Sequence, residues 1–540
     1  MIVLRSEPLT NDYSVREIAE FDTKAAILES FAILHLGVAK SYRKGELAWL
    51  LDHMFNENPA LFANILPEKE QIPYDTKLSP VMTGHYQECS CKVIKDPLIC
   101  DAQLEENQHG TTALLIRGAR RVGKSTIAEE FARKEYESYL LIDFSKASQN
   151  VHKLFEDISD LDFIFTQLQL TYRKSLKPHK SVIIFDEIQK QPLARQAIKS
   201  LVADRRYDYI ETGSLLSIKR KGRGQKGPQK NILIPSEETR IDMYPMDYQE
   251  FRWALGDEDT IPLLQTMFET RQPLGDATNR KMMRDFRLYV LVGGMPQAVN
   301  DYLDTHDLSV VDQRKRSILD LYDEDFYDLD PSGQTSDLFH AIPAQLNSNA
   351  SRYQVSSVIA GGKIDRLREQ IAILKDSMTA NIAYHANDPS AGLASHINRD
   401  QFKLYCGDTG LFVTLAFWDD AFTENVIYQK LLSDKLNADV GYVYENVISQ
   451  MLVAGRHKLY YHTWPTPSGK HNYEIDFLLS RQAKVCPIEV KSSTSNVHTS
   501  IDEFQKKFSS RIYQRYLLHA KDMRKEQDLL CLPLYMALFL

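Results

Sequence analysis

The residues with the clearest chemical meaning are Gly118-Ala119-Arg120-Arg121-Val122-Gly123-Lys124-Ser125, followed by Thr126. Their spacing is G-x-x-x-x-G-K-[ST], in which the glycines let a loop wrap so that backbone N–H groups face phosphate oxygens. The N-terminus of the helix that follows adds positive potential. Lys124 is placed to reach the β- and γ-phosphates of ATP or GTP, and the Ser125 hydroxyl to ligate Mg²⁺. Further along, the apolar run Ser181-Val-Ile-Ile-Phe ends in Asp186 and Glu187. In a P-loop fold the acid ending that strand holds Mg²⁺, a role for Asp186, and Glu187 is placed to polarise the attacking water as a general base. The run Asp208-Tyr-Ile-Glu ends in Thr212, Gly213 and Ser214. Thr212 or Ser214 is a candidate sensor of the γ-phosphate, because strand C-termini line the crevice of a parallel sheet. Arg240, Arg120 and Arg121 are candidates for stabilising charge during phosphoryl transfer, and a neighbouring subunit is an alternative source of such an arginine.

These groups need a strand–loop–helix frame. Apolar, β-rich runs at 112–118, 139–144, 181–187 and 208–214 alternate with stretches of helical spacing such as STIAEEFARKEYE, SQNVHKLFEDI and LARQAIKSLVAD. That alternation predicts an α/β fold with an open parallel sheet. Residues 240–330 read as helical, interrupted by GGMPQ at 293–297. Between 335 and 412, three short helical runs (FHAIPAQLN, YQVSSVIA, IDRLREQIAILKD) precede two strands, TANIAYHA and FKLYC. From about Phe422 a helix through ENVISQMLVAG is followed by strands near KLYYHTW, EIDFLLS and VCPIEVKSS.

Composition sets outer limits. The 540 residues carry 65 Lys and Arg against 73 Asp and Glu, a net charge of −8, with 43% hydrophobic and 26% charged residues. Those values fit a chain of about three or four globular domains and exclude a uniformly basic nucleic-acid coat. Six cysteines exclude a disulfide scaffold and fit a reducing compartment, the cytoplasm. No run approaches the length of a membrane span, so no membrane association is expected. The apolar end LLCLPLYMALFL, interrupted by Pro533, reads as a buried closing strand. His85, Cys89, Cys91 and Cys100 form a cluster of soft ligands, but without the two-residue gap of paired zinc cysteines, which favours ordinary reduced thiols. The basic run KRKGRGQKGPQK at 219–230 reads as a solvated loop with a secondary reading as a nucleic-acid contact.

The segments LLIRGARRVGKST, SVIIFDEIQK, IETGSLLS, ETRIDMYPMDYQEF, YVLVGGMPQAV, KLYCGDTGLF and EIDFLL…IEVKSS together resemble the prokaryotic AAA-type P-loop ATPases that carry a C-terminal domain of unknown function. The resemblance covers roughly residues 110–540 and implies a series: a P-loop NTPase core at 109–240, a helical lid at 241–332, a winged helix at 333–415 and a restriction-endonuclease-like domain at 422–540. It leaves residues 1–108, a partly helical extension, unexplained. The third helix of the implied winged helix offers Lys363, Arg366, Arg368 and Lys375, nearly cancelled by Asp365, Glu369 and Asp376. Packing or protein binding is therefore as good a reading as DNA binding in a major groove.

The final segment also resembles the PD-(D/E)XK nuclease core, with Glu445 on a helix, Asp476 on a strand, and Glu489 and Lys491 on the next. Such chemistry needs carboxylates converging on a divalent metal and a lysine that polarises phosphate or activates water. Period-two spacing puts Glu489 and Lys491 on one sheet face. An inactive, nucleic-acid-binding or structural version of the same fold is the competing reading. His471, Glu474 and His498 read as surface residues. Three functions follow: an ATP- and Mg²⁺-dependent ATPase acting on DNA, RNA or a partner protein, an ATP-gated nuclease, and a nucleotide-switched interaction module. Homo-oligomerisation is compatible with each.

Overall fold

The computed structural model describes residues 112–214, 236–348, 350–390, 392–418, 441–491 and 498–540. The cysteine–histidine cluster at 85–100 and the basic run at 219–230 lie outside the described residues.

The first layer is a five-stranded sheet built from β1 (Ala113–Arg117), β2 (Ser138–Asp143), β3 (Ser181–Asp186), β4 (Asp208–Gly213) and β5 (Glu238–Asp242). Its order is β2-β3-β4-β1-β5, every pairing is parallel, and helices α1 (Lys124–Glu135), α2 (Gln149–Leu154), α3 (Leu161–Tyr172) and α4 (Pro192–Asp204) connect its first four strands. Strand β3, SVIIFD, is buried at every position. A strand covered on both faces needs such a continuous apolar run, which is why it was legible without alternation. The edge strand β5 was not foreseen: its sequence ETRID carries one buried apolar residue, Ile241, and its place is set by pairing with β1.

Helices α5 (Tyr248–Ala254), α6 (Thr260–Thr270), α7 (Asp276–Val292), α8 (Pro296–Thr305) and α9 (Leu308–Leu329) follow. Asp247 and Glu250 cap the start of α5 with a reciprocal capping box. The glycines of GGMPQ end α7, and Pro296 opens α8 at a position where its missing N–H is harmless.

The region expected to be a winged helix holds α10 (Gln334–His340), α11 (Ile342–Asn347), α12 (Val355–Val358), α13 (Arg368–Asp376), strands β6 (Ala380–Ala386) and β7 (Ile397–Cys406), and α14 (Thr409–Ala416). The run FHAIPAQLN is split between α10 and α11, because Pro343 sits in the first turn of a new helix. The hairpin is not a free wing. Strand β6 pairs in parallel with β8 (Tyr460–Pro465), giving the four-stranded order β7-β6-β8-β9, where β9 is Asn472–Ile475. A boundary between 415 and 422 therefore cuts through one hydrogen-bonded sheet.

The rest comprises α15 (Gly441–Ala454), β10 (Phe477–Arg481), β11 (Lys484–Val490), α16 (Thr499–Phe508), β12 (Arg515–His519), β13 (Arg524–Glu526) and β14 (Leu529–Pro533), with sheet order β10-β11-β12-β14-β13. Only the first half of the apolar terminus is a strand. Beyond Pro533 the chain turns into a 3₁₀ segment, Leu534–Phe539, whose Leu534, Tyr535 and Met536 are fully buried. Tyr535 donates from its hydroxyl to Asn279 Oδ1 on α7 at 2.8 Å. One apolar core runs from Ala119 and Val122 in the phosphate loop through α7, α9, α14 and α15 to this terminus.

Candidate nucleotide site and C-terminal carboxylate cluster

Strand β1 delivers the chain to the loop and α1 receives it. Gly123, the residue before α1, has φ 96°, a left-handed conformation that an L side chain resists. Arg121 also adopts positive φ, 71°. The loop thereby curls over its lysine: Lys124 is 5% exposed and donates to the carbonyl oxygens of Gly118 at 3.1 Å and Ala119 at 2.9 Å. Burial pulls its ammonium down to about 8, and the nearby carboxylates of Glu187, Asp186 and Asp325 oppose that fall.

The Ser125 hydroxyl donates to Asp186 Oδ1 at 2.6 Å, linking the first turn of α1 to the end of β3. The Thr212 hydroxyl at the end of β4 donates to the same carboxylate oxygen. Parallel pairing of β3 with β4 and of β4 with β1 brings all three strand ends to one edge. Glu187, with φ 54°, steps off β3, and its backbone N–H donates to Thr212 Oγ1 at 3.4 Å. Its carboxylate accepts from Gln189 Nε2 at 2.5 Å, and the same amide reaches Ser214 Oγ at 3.4 Å. Thr126 lies exposed in the first turn of α1.

The arginines separate. Arg120 is tied to α9: its Nη1 lies 3.0 Å from Asp325 Oδ1, and Tyr322 donates from its hydroxyl to the Arg120 carbonyl at 3.2 Å. Arg121 is exposed. Arg240 stands on β5 opposite Leu115 of β1 and pairs with Glu238 at 3.3 Å.

Asp143, Gln189, Tyr322 and Asp325 were missed in the sequence. Asp143 ends β2 in register with Asp186 and is held by Lys146 at 2.7 Å. Its signal was available, an acid closing the apolar run YLLID. Nothing near Asp325 in the chain marks it, because only the docking of α9 brings it to the loop.

With this geometry in view, the comparison with known families decides the class. Residues 110–252 match the model of an AAA domain. This part of the chain carries an AAA domain. Residues 283–421 and 440–536 match two domains of unknown function, DUF8612 and DUF4143. None of the curated proteins matches the chain. Among solved structures, the Walker-type ATPase of Pyrococcus abyssi is similar at 16% identity and TM-score 0.37, covering 63% of this chain and 99% of that one. The ORC1 protein of Aeropyrum pernix, solved in complex with DNA, is similar at 10% identity and TM-score 0.27, covering 66% and 97%. PCH-2 of C. elegans is similar at 13% identity and TM-score 0.17, covering 37% and 52%. Among the described residues beyond the AAA domain, as within it, no helix is long and apolar enough to cross a membrane.

Far from the AAA domain in sequence, Glu445 on α15, Asp476 between β9 and β10, and Glu489 and Lys491 at the end of β11 are brought into one cluster. Lys491 Nζ lies 2.5 Å from Glu489 Oε1, and Asp476 Oδ2 accepts from the Val490 N–H at 2.7 Å. Two further residues join them. Lys403 of β7, 8% exposed, pairs with Glu474 and lies 3.5 Å from Glu445 Oε2. Glu474 is thus part of the cluster and not a free surface acid, because the β8–β9 hairpin folds it towards β7. Tyr405 donates from its hydroxyl to Glu445 at 3.4 Å. Burial disfavours charge on Lys403, but Glu445, Glu474 and Asp476 outweigh it and hold the ammonium well above its ordinary range. Burial and the neighbouring Glu445 carboxylate push the Asp476 carboxyl well up. His471 is exposed, and His498 sits beside Asp502 at 2.7 Å.

The two centres differ in their readiness for a metal. At the AAA domain a hydroxyl and a carboxylate meet at a loop whose backbone can cradle phosphates, a donor set that suits Mg²⁺ shared with phosphate oxygens and water. At the C-terminal cluster, each carboxylate is already engaged by a lysine or a backbone N–H. Among the described residues, no three His, Cys, Asp or Glu side chains converge in a metal-holding arrangement.

Proposed function

We propose that the AAA domain binds ATP with Mg²⁺ and hydrolyses it, driving or gating an action on nucleic acid or a partner protein. The observation that carries this reading is the meeting of Ser125 and Thr212 on one oxygen of Asp186, directly beside the lysine of a phosphate-type loop. Lys124 and the loop N–H groups bind the phosphates; Ser125 and Asp186 are the residues that would hold Mg²⁺, whose charge offsets that of the triphosphate. Glu187, steadied by Gln189, orients water and accepts its proton. Thr212 holds the Asp186 carboxylate in place, and Ser214 is a second acceptor for the Gln189 amide that holds Glu187. Steady-state hydrolysis tests this. Lys124→Ala should abolish turnover, and Glu187→Gln should keep ATP binding while blocking turnover; normal turnover by either variant overturns the assignment.

A second reading, metal-dependent nucleic-acid cleavage by the C-terminal cluster, is favoured by the pairing of Glu489 with Lys491 and the nearness of Asp476 to Glu445 and Glu489. Its carboxylates are occupied by Lys403, Lys491 and backbone donors, an arrangement that does not fit a divalent metal. Incubating the full chain with DNA or RNA in Mg²⁺ or Mn²⁺ tests it: nicking that disappears in Asp476→Ala supports cleavage, and nicking unchanged in that variant refutes it.

A further inference from the structure

The Arg120 side chain belongs to the phosphate loop, yet its partner belongs to another element. Asp325 projects from α9, 205 residues away in sequence, and its Oδ1 accepts from Arg120 Nη1 at 3.0 Å. Arg120 Nη1 also reaches the Leu321 carbonyl at 3.4 Å, and the Tyr322 hydroxyl closes the contact on the Arg120 carbonyl at 3.2 Å. Three residues within about one turn of α9, Leu321, Tyr322 and Asp325, therefore grip one residue of the loop. Asp325 is 25% exposed and Arg120 34% exposed, so the pair sits at the mouth of the site and not in the core.

The charge on Asp325 faces the same space as the loop's own charges. Burial raises its carboxyl, Arg120 opposes that rise, and Glu187 and Lys190 contribute across the gap. Its field also reaches Lys124. A triphosphate entering the loop brings several negative charges beside this carboxylate, and guanidinium binds phosphate in the same forked geometry as carboxylate. Phosphate and Asp325 thus compete for Arg120 and repel each other.

We propose that Asp325 is a positioning residue of the nucleotide site: it holds Arg120 in the absence of nucleotide, opposes triphosphate binding, and is displaced when the phosphates arrive. The inference rests on the reading of residues 118–125 as a nucleotide site. Helix α9 is one 22-residue element. About 20 Å towards its N-terminus from Asp325, Asp312 accepts from Thr414 Oγ1 of α14 at 2.8 Å, and Arg316 donates to the Trp418 carbonyl at 2.7 Å. Release of Asp325 therefore acts on a helix that also anchors α14 and Trp418, the segment that follows β7.

The sign of the effect separates this role from simple support. A supporting contact loses nucleotide affinity when removed; an opposing one gains it. Titration calorimetry of the full chain with Mg·ATP and with ADP compares wild type with Asp325→Asn, which keeps the size of the side chain, and Asp325→Ala. Either variant should bind ATP about tenfold tighter, the size of a typical coupling between a ligand and a conformational contact, with a smaller gain for ADP. Unchanged or weaker ATP binding in both variants overturns the proposal. Lys124→Ala separates the two layers. ATP binding that survives in Lys124→Ala overturns the nucleotide-site reading and this proposal with it. Binding lost in Lys124→Ala but not tightened in the Asp325 variants overturns this proposal alone.

Discussion

The backbone N–H of Gly294 donates to Asp408 Oδ2 at 2.6 Å, across 114 residues. This bond joins GGMPQ, between α7 and α8, to GDTG at the start of α14. Asp408 is almost fully buried and also accepts from the Leu411 N–H at 2.8 Å, so one carboxylate caps a helix and fixes a distant turn. The backbones meet without side chains between them. A Cβ added at Gly410 would lie 2.4 Å from the Val292 carbonyl oxygen, and one at Gly294 would lie 2.0 Å from that of Met246.

Alanine at Gly410 should therefore break the docking of α14 on α7, and alanine at Gly294 the approach of the α7–α8 turn to the Met246 backbone. Gly294→Ala and Gly410→Ala are expected to lose about 3 kcal/mol or more, as overpacking against rigid backbone does. Gly256→Ala, where the added carbon meets nothing within 4 Å, should lose only about 1 kcal/mol from its positive φ. Thermal melting of the three variants checks the contrast, and equal losses would discount the close approach.

Thr212→Val removes one of the two hydroxyls on Asp186 while preserving shape. Its kcat for ATP hydrolysis should fall about tenfold to a hundredfold, with KM little changed, because the lost bond orients catalytic carboxylates and does not touch the base or sugar. An unchanged kcat would remove Thr212 from the machinery.

In the C-terminal cluster, Lys403 balances Glu445 and Glu474. Lys403→Met leaves both carboxylates without their ammonium and should destabilise the chain on the order of 3 kcal/mol. Adding Glu474→Gln should recover part of that loss. Chemical denaturation of the single and double variants measures it, and strict additivity would show that the ion pair carries no coupling.

Burial pushes the imidazoles of His462 and His519 down to about 4. An unfolded histidine titrates near ~6.5, so between 6.5 and 4 the unfolded chain takes up protons that the folded chain refuses. Stability from these residues is present above ~6.5 and is lost as pH falls through that window. His462 Nδ1 lies 2.7 Å from the Ala386 carbonyl oxygen, a contact that asparagine can imitate. Between pH 6.5 and 5, His462→Asn should lose about 2 kcal/mol less stability than wild type. Parallel denaturation curves at the two pH values would sink the assignment.

The phosphate loop was legible because its geometry is local. Residues 113–135 form strand, turn and helix in succession, and the backbone conformation at Gly123 depends on its immediate neighbours. Asp186 was legible for a related reason, since an acid closing a fully apolar run must emerge at the end of a buried strand. The four acidic and basic positions of the C-terminal cluster could be named in the sequence, but not Lys403 and Glu474 beside them.

Sequence by itself determined the strand–loop–helix that carries Gly118 to Ser125, where the buried parallel strands begin and end, and which later residues could share a site. Tertiary structure alone decided that Asp325 grips Arg120, that Lys403 and Glu474 complete the C-terminal cluster, and that the β6–β7 hairpin extends the sheet of the last segment. The physical reason is range. Hydrogen bonds within a loop or along a strand leave their mark on adjacent residues, whereas an ion pair between elements that meet only on folding imposes no spacing the chain can display.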